Sequence, residues 1–393
     1  MTTVRTSGVR KLEIDTEYLV QVLLELLEIP SPSGYTDTIV RFVCEQLTRL
    51  GIDHEITRRG AIRANLPGKH RSPDRALVAH VDTIGAMVTH LQSNGRLGVA
   101  PVGTWSSRFA EGARVSILTD DQTYRGTILP LKASGHTFGE EVDTQPTSWD
   151  HVEVRVDARA SNEGDLVALG FQVGDYVAVD PQPEITEHNY IVSRHLDDKA
   201  GVATLLAAAR AIKDAGVALP VDCHLLFTIF EEVGSGASAV LHQDVAEMVS
   251  IDNSTPAPGQ NSTEYEPAIS MMDSSGPFDY HLTHRLIDLA SQHGVPLRRA
   301  VFRYYRSDAA TAVEAGSDIR TALLCFGVDS SHGWERTHLD GLRSLGTLLT
   351  LYMQSPAVVE RDSMELGPVE GFTEQPAAEN LIQTQPIEPD RTD

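Results

Sequence analysis

Thr228-Ile229-Phe230-Glu231-Glu232-Val233-Gly234-Ser235-Gly236 is the stretch whose reading decides the fold. The apolar run from Cys223 to Phe230 reads as a buried strand, and it passes without a spacer into two adjacent carboxylates and a glycine-rich turn. Neighbouring residues at the end of a strand point in different directions, so one carboxylate can face a cation while the other faces a substrate. Paired acids after a strand are ordinarily a solvated turn. Here the preceding strand is apolar and the residues that follow, Val233 to Ala237, are uncharged. Strand ends in an α/β sheet are where active sites collect.

Outward from this stretch the same arrangement recurs. Arg75–Ala79 is a compact apolar segment leading to His80-Val81-Asp82, and Met248–Ile251 is a strand ending at Asp252. Thr321–Phe326 precedes a loop that holds both His332 and His338, and Asp197-Asp198 stands ahead of an Ala- and Leu-rich helical pattern running to Ala215. In His80-x-Asp82 the histidine can ligate a metal while the aspartate orients its other ring nitrogen. Asp198, at the start of the helix, reads as its N-cap. Asp197 then lies just before the helix, where it can bridge two cations, and His195 reads as a polar loop residue. Each signal is common alone; their joint placement at several predicted strand ends is not. Imidazole and carboxylate donors without a thiolate suit Zn²⁺, Mn²⁺ or Co²⁺. Two cations roughly 3.5–4 Å apart can share a hydroxide and polarise a carbonyl. A free carboxylate beside them can take a proton from that water and return it to a leaving amine, which is amide hydrolysis.

The chain has 393 residues, a formal net charge of -23, 41% hydrophobic and 22% charged residues, the balance of an ordinary globular protein. A field of that sign repels phosphate backbones and excludes nucleic acid and anionic membrane as partners. Cys44, Cys223 and Cys325 are widely spaced, form no CxxC, and read as reduced thiols. Met1–Leu12 lacks an apolar core of the secretory type and no apolar run is long enough to span a bilayer, so the expected location is cytoplasmic.

In chain order, helical spacing covers Asp15–Ile29 and Asp37–Leu50, and two short strands fit within Asp53–Leu66. From about Val88 to Pro183 helical periodicity nearly vanishes. Short alternating segments (Ala113–Leu118, Tyr124–Leu129, Val152–Val156, Tyr176–Val179) predict a small all-β barrel or sandwich. After Tyr190 strand and helix alternate again, with Ala237–Val245 expected to be helical. The expected architecture is α/β, a mixed sheet with helices on both faces. Its two parts are 1–87 and 188–360, interrupted by a β-barrel at 88–187 and followed by a disordered acidic tail at 361–393.

At this point the chain resembles the M42 metallo-aminopeptidases, the glutamyl and tetrahedral aminopeptidase group with a zinc-exopeptidase-like fold. The motifs are AHVDTIGAMV, GARVSILTDDQTYRGTI, VGDYVAVDPQPE, SRHLDDKAGVATLLAA, FTIFEEVGSGAS, VSIDNSTPAPGQ and SDAA, spread from about Tyr18 to Met353. More narrowly, it is similar to members associated with the N-acetylglutaminylglutamine amide osmoprotectant system. The resemblance implies two divalent ions per subunit, zinc first, with cobalt or manganese as alternatives. His80 and Asp252 would hold one ion, Glu232 and His332 the other, and Asp197 would bridge them. Glu231 would be the general base on a water between the metals, and Asp82 would orient His80. The insertion would be a PDZ-like barrel used in dimerisation, within a homo-oligomer built from dimers up to a dodecamer. The substrate would be a short peptide or small amide, cut at its N-terminus.

The chain departs from the family pattern in two places. The segment SSHGWERTHL stands where the family has a Tyr-x-His-Ser-Pro-x-Glu type sequence. His332 is preferred to His338 as the last ligand because it lies closer to the strand end and Glu335 follows at a similar offset. Arg306-Ser307-Asp308-Ala309 replaces the usual Gly-Thr-Asp-Ala near the substrate side chain. Arg303, Tyr304, Tyr305 and Arg306 can line a pocket for an acidic or amide side chain, or form an exposed strand end. Two other functions remain open at this level: a dinuclear deacylase or amidase acting on a small N-acylated dipeptide-like compound, and an inactive binding or scaffold homologue. Retention of His80, Asp197, Glu231, Glu232 and Asp252 argues against the last.

Overall fold

The computed structural model describes residues 8–241, 244–357, 359, 362, 369 and 372–375. Apart from those few positions, the expected tail over 361–393 lies outside the described residues. The chain enters through the helices Thr16–Leu27, capped by the Asp15 carboxylate accepting from the Tyr18 N–H, and Asp37–Arg49. Strands β1 (Asp53–Ile56), β2 (Ile62–Leu66) and β3 (Gly68–His80) follow. Next come β4 (Gly85–Leu91), β5 (Leu97–Val102), β6 (Arg114–Leu118), β7 (Thr123–Pro130), β8 (Val152–Val156) and β9 (Tyr176–Val179). Then β10 (Glu184–Ile185), β11 (Tyr190–Ser193), β12 (Leu219–Thr228), β13 (Val245–Ser254), β14 (Ala268–Asp273) and β15 (Gly276–Pro277) run to β16 (Arg298–Val301), β17 (Arg320–Gly327) and β18 (Glu335–His338).

The main sheet has the order β1-β2-β12-β3-β13-β17-β14-β15, with β16 paired to β14. Strands β12, β3, β13 and β17 are mutually parallel, while β2 and β14 join antiparallel, so the sheet is mixed. Every residue from Asp74 to His80 is buried, as are all of β13 but one. Such runs require cover on both faces, and helices supply it. The helix Leu196–Ala215 packs on β3 and β13 and against the helices Thr16–Leu27 and Leu339–Gln354, the latter also meeting β12 and β17. Because the central strands are parallel, their C-terminal ends share one edge, and His80, Thr228 and Asp252 meet there.

Strands β4 to β9 close into a barrel in the order β4-β5-β8-β7-β6-β9. Its apolar core, which includes Val115, Ile117, Ile128, Val154 and Val177, is separate from that of the main sheet. Among the described residues no helix is long and apolar enough to cross a membrane. All three cysteines are free thiols, with Cys223 and Cys325 buried.

Three local expectations are corrected. β12 stops at Thr228 rather than reaching Phe230, whose φ of 71° turns the backbone left-handed. Among the described residues of Ala237–Val245 there is no α-helix: Ala237–Ala239 form a short 3-10 turn, and Val245 opens β13. The Asp308 carboxylate takes the Ala237 N–H at 2.7 Å, which fixes that turn from outside. Finally, Asp252 does not end its strand. β13 continues to Ser254 and pairs Asp252 with Cys325, because the parallel β17 extends alongside it.

Candidate active site

The site forms where the C-terminal ends of β3, β12 and β13 meet the start of the helix Leu196–Ala215 and the loop before β18. Asp197 stands at its centre. One carboxylate oxygen lies 3.2 Å from His80 Nε2 and the other lies 3.2 Å from His332 Nε2. His332 Nε2 is also 3.3 Å from Glu232 Oε2, and His80 Nε2 is 3.9 Å from Glu231 Oε2. The donor atoms fall into two trios, His80, Glu231 and Asp252 in one and Asp197, Glu232 and His332 in the other, each within 4.8 Å. The Asn253 side-chain amide donates to Asp197 Oδ2 at 2.6 Å and holds the carboxylate between the trios.

His338 lies elsewhere. Its Nδ1 accepts the Asp340 N–H and caps the helix Leu339–Gln354, and its Nε2 donates to the His188 carbonyl. His195 is also turned away, with Nε2 donating to the Val179 carbonyl at 2.9 Å. Burial and the nearby Lys199 push its imidazole down to about 3, so it is neutral.

Asp82 is buried and works mainly on the backbone. Its carboxylate accepts the N–H groups of Glu231 and Glu232, at 3.1 and 3.3 Å, and the Ser33 hydroxyl at 2.5 Å. His80 Nδ1 donates to the Asp82 carbonyl at 3.0 Å and lies 3.6 Å from its carboxylate. The turn carrying both glutamates and the ring carrying Nε2 are therefore held by one residue.

Four supporting residues were not read as site residues from sequence, or were read differently. Asp198 is not a helix cap: its Oδ2 accepts the His80 N–H at 3.0 Å, and the other oxygen has no hydrogen-bond partner. Glu335, buried, accepts the His332 N–H at 2.8 Å and the Asp197 N–H at 3.2 Å, tying the two elements together. Asn253 positions Asp197. Asp308 accepts the Thr228 hydroxyl at 2.5 Å and the Ala237 N–H, bracketing the Glu231-Glu232 turn. The only sequence signals for them were their adjacency to Asp252 or Asp197, or membership of the quoted motifs.

Electrostatics show what the cluster lacks by itself. Burial pushes the Glu231 carboxyl well above its ordinary value, and the charges of Asp252, Asp308 and Glu232 add to the effect. Asp252 is raised by burial and by Asp197. Burial lowers the His80 imidazole, but hydrogen bonds to Asp197 and Asp82 outweigh it and hold the ring well above its usual range. At His332 burial is likewise outweighed by Glu232 and Asp197. Buried like charges of this density ask for a positive partner. A buried Glu232 oxygen without any hydrogen-bond partner points the same way, so the donor set fits divalent cations.

The cluster opens into a cleft of about 830 Å³. Asp197, Glu231, Glu232, Asp252 and His332 line it, together with Phe302, Tyr304, Tyr305, Arg306 and Glu314.

Fold and site together define a metal-dependent peptidase, with imidazole and carboxylate donors at the C-terminal edge of a mixed sheet. The chain belongs to the M42 glutamyl aminopeptidase family, whose model matches residues 60–348. It is 36% identical over 339 residues to the protein YhfE of Bacillus subtilis (strain 168), covering 86% of this chain and 98% of that one. Among solved structures it is similar to the aminopeptidase APDkam598 of the archaeon Desulfurococcus kamchatkensis, with a TM-score of 0.78, 23% identity, and coverage of 86% and 95% of the two chains. The TET1 peptidase of Pyrococcus horikoshii, which can assemble into a tetrahedron or a large octahedral shell, matches with a TM-score of 0.76, 21% identity and coverage of 85% and 99%. These two likenesses concern the fold.

Proposed function

We propose that the protein is an aminopeptidase that takes two divalent cations and removes N-terminal residues from short peptides. The observation that carries this reading is Asp197, whose two oxygens each reach a histidine of a different donor trio. His80 and Asp252 would hold one ion, Glu232 and His332 the other, and Asp197 would serve both. When bound, such ions polarise the scissile carbonyl and make water a nucleophile near neutral pH.

The chain's own groups do the rest. Glu231 lies at the cleft wall beside His80, placed to take a proton from water and give it to the departing amine. Asp82 fixes the turn from which Glu231 projects, and so the direction of that transfer. Parallel assays on free-amine and N-acylated substrates separate this reading from a deacylase. By analogy with the shells of the archaeal TET1 peptidase, the barrel is proposed as the contact through which copies of the chain associate.

The test is metal reconstitution followed by parallel assays on aminoacyl amides, short peptides and their N-acetylated counterparts. About two zinc, cobalt or manganese ions per chain and turnover of the free-amine substrates are expected. Turnover confined to the acetylated set, or no bound metal, would reject the proposal.

A further inference from the structure

The cleft is also lined by Phe302, Tyr304, Tyr305, Arg306 and Glu314, to which the reaction just described assigns no step. Phe302 is buried, and its ring meets Tyr305 edge-on, with centroids 5.3 Å apart and planes at 77°. This pair makes an aromatic floor. Tyr304, also on the cleft, is 97% exposed. At the rim, Arg306 donates to Glu314 through both terminal nitrogens, at 3.0 and 2.6 Å. Arg306 lies just before the helix Asp308–Glu314, and Glu314 ends it.

We propose that this region is the subsite for the side chain of the substrate's N-terminal residue, and that the Arg306–Glu314 pair makes it select neutral side chains, apolar or amide. The inference rests on the aminopeptidase reading and adds the substrate class to it. A lone arginine in this cleft would attract an acidic side chain, and a lone glutamate a basic one. Here each is occupied by the other in a two-point contact, the geometry in which a guanidinium and a carboxylate match best. A substrate carboxylate would have to displace Glu314, which is tethered on the adjoining helix and therefore present at a far higher effective concentration. The net charge of -23 disfavours acidic peptides further. What remains for a side chain is the aromatic floor, the exposed face of Tyr304 and the Ser274 edge of the cleft.

The experiment compares kcat/KM for leucyl, glutaminyl, glutamyl and lysyl chromogenic amides on the metal-reconstituted protein and on Glu314→Gln and Arg306→Gln. The wild-type protein should prefer leucyl and glutaminyl over both charged substrates by at least about tenfold. Glu314→Gln frees the arginine and should raise the glutamyl-to-leucyl ratio about tenfold or more. Arg306→Gln frees the glutamate and should raise the lysyl-to-leucyl ratio to a similar degree. Both side chains are substantially exposed, and an exposed pair contributes little to stability, so the variants should fold. A wild-type preference for glutamyl or lysyl, or an unchanged ranking in both variants while leucyl turnover persists, overturns the subsite and leaves the aminopeptidase reading standing. Inactivity of the wild-type protein toward all four overturns both.

Discussion

Exchanging a helix glycine for alanine is normally stabilising, and Gly201 should reverse that sign. It lies in the first turns of the helix Leu196–Ala215, where the helical preference of alanine is worth up to about 1 kcal/mol. A Cβ placed there would sit 2.0 Å from Asp198 Oδ1, 2.7 Å from its Cγ and 2.9 Å from Oδ2. The carboxylate would have to retreat by more than about 1 Å to reach ordinary contact, yet Asp198 is fully buried in a close-packed interior. Overpacking of this kind costs about 1–3 kcal/mol. Retreat also stretches the 3.0 Å bond from the His80 N–H, whose loss costs about 1–3 kcal/mol more in a buried setting. Set against the gain in helical preference, Gly201→Ala should lose about 1–5 kcal/mol. Urea unfolding of the metal-free protein reads this directly as a lower midpoint at unchanged slope. Because His80 shifts with Asp198, metal affinity should fall as well. A Gly201→Ala protein as stable as its parent, or more so, would refute the claim that Asp198 is wedged between the helix and the His80 backbone.

Other substitutions probe the site and its surroundings. Glu231→Gln should retain fold and metal but lose turnover by about 10²–10⁴-fold, since it removes a proton acceptor; near-normal rates in a metal-loaded sample would dismiss Glu231 as the base. Asp197→Ala should lower total bound metal measured by mass spectrometry at both positions, because each of its oxygens faces a different trio; loss of one ion alone would count against a shared ligand. Lys199 is buried with its ammonium on the Ile29 carbonyl, and burial lowers its pKa to about 7. That value lies below the unfolded one, so between about pH 7 and 10 the unfolded chain binds more protons and the fold gains stability as pH rises. At about 1.4 kcal/mol per unit the Lys199 contribution should increase by about 2 kcal/mol from pH 7 to 9. Lys199→Met should remove that increment from the pH profile of unfolding; an unaltered slope would mean that Lys199 stays charged in the fold.

Much of the architecture was legible in the order of residues, because periodicity is a local property. The alternating texture beyond Val88 belongs to a barrel whose strands run from β4, opening at Gly85, to β9, and the apolar runs ahead of His80 and Glu231 are strands of a two-sided sheet. The imidazoles and carboxylates that gather at the sheet edge were legible for a related reason: an ionisable group at the end of a strand covered on both faces is costly unless something uses it. What could not be read locally was any decision made by a distant neighbour. Ala237–Val245 has helical spacing, yet Asp308, 71 positions away, holds its first residue in a turn. Asp198 has the position of a cap, but its partner is the backbone of His80, 118 positions back.

The choice between His332 and His338 shows the same division. Chain order offers two imidazoles six positions apart in one loop. The fold turns one toward Asp197 and Glu232 and spends the other on the cap of the last helix. Glu335 between them determines which, by gripping the His332 backbone and that of Asp197 together. The sequence by itself thus determined the sheet, the inserted barrel and the chemical character of the donors, since burial patterns and residue types are written along the chain. Tertiary structure alone decided how those donors divide into two trios around Asp197, and that Arg306 meets Glu314 at the rim. Such pairings depend on distances through space, which short-range spacing does not encode.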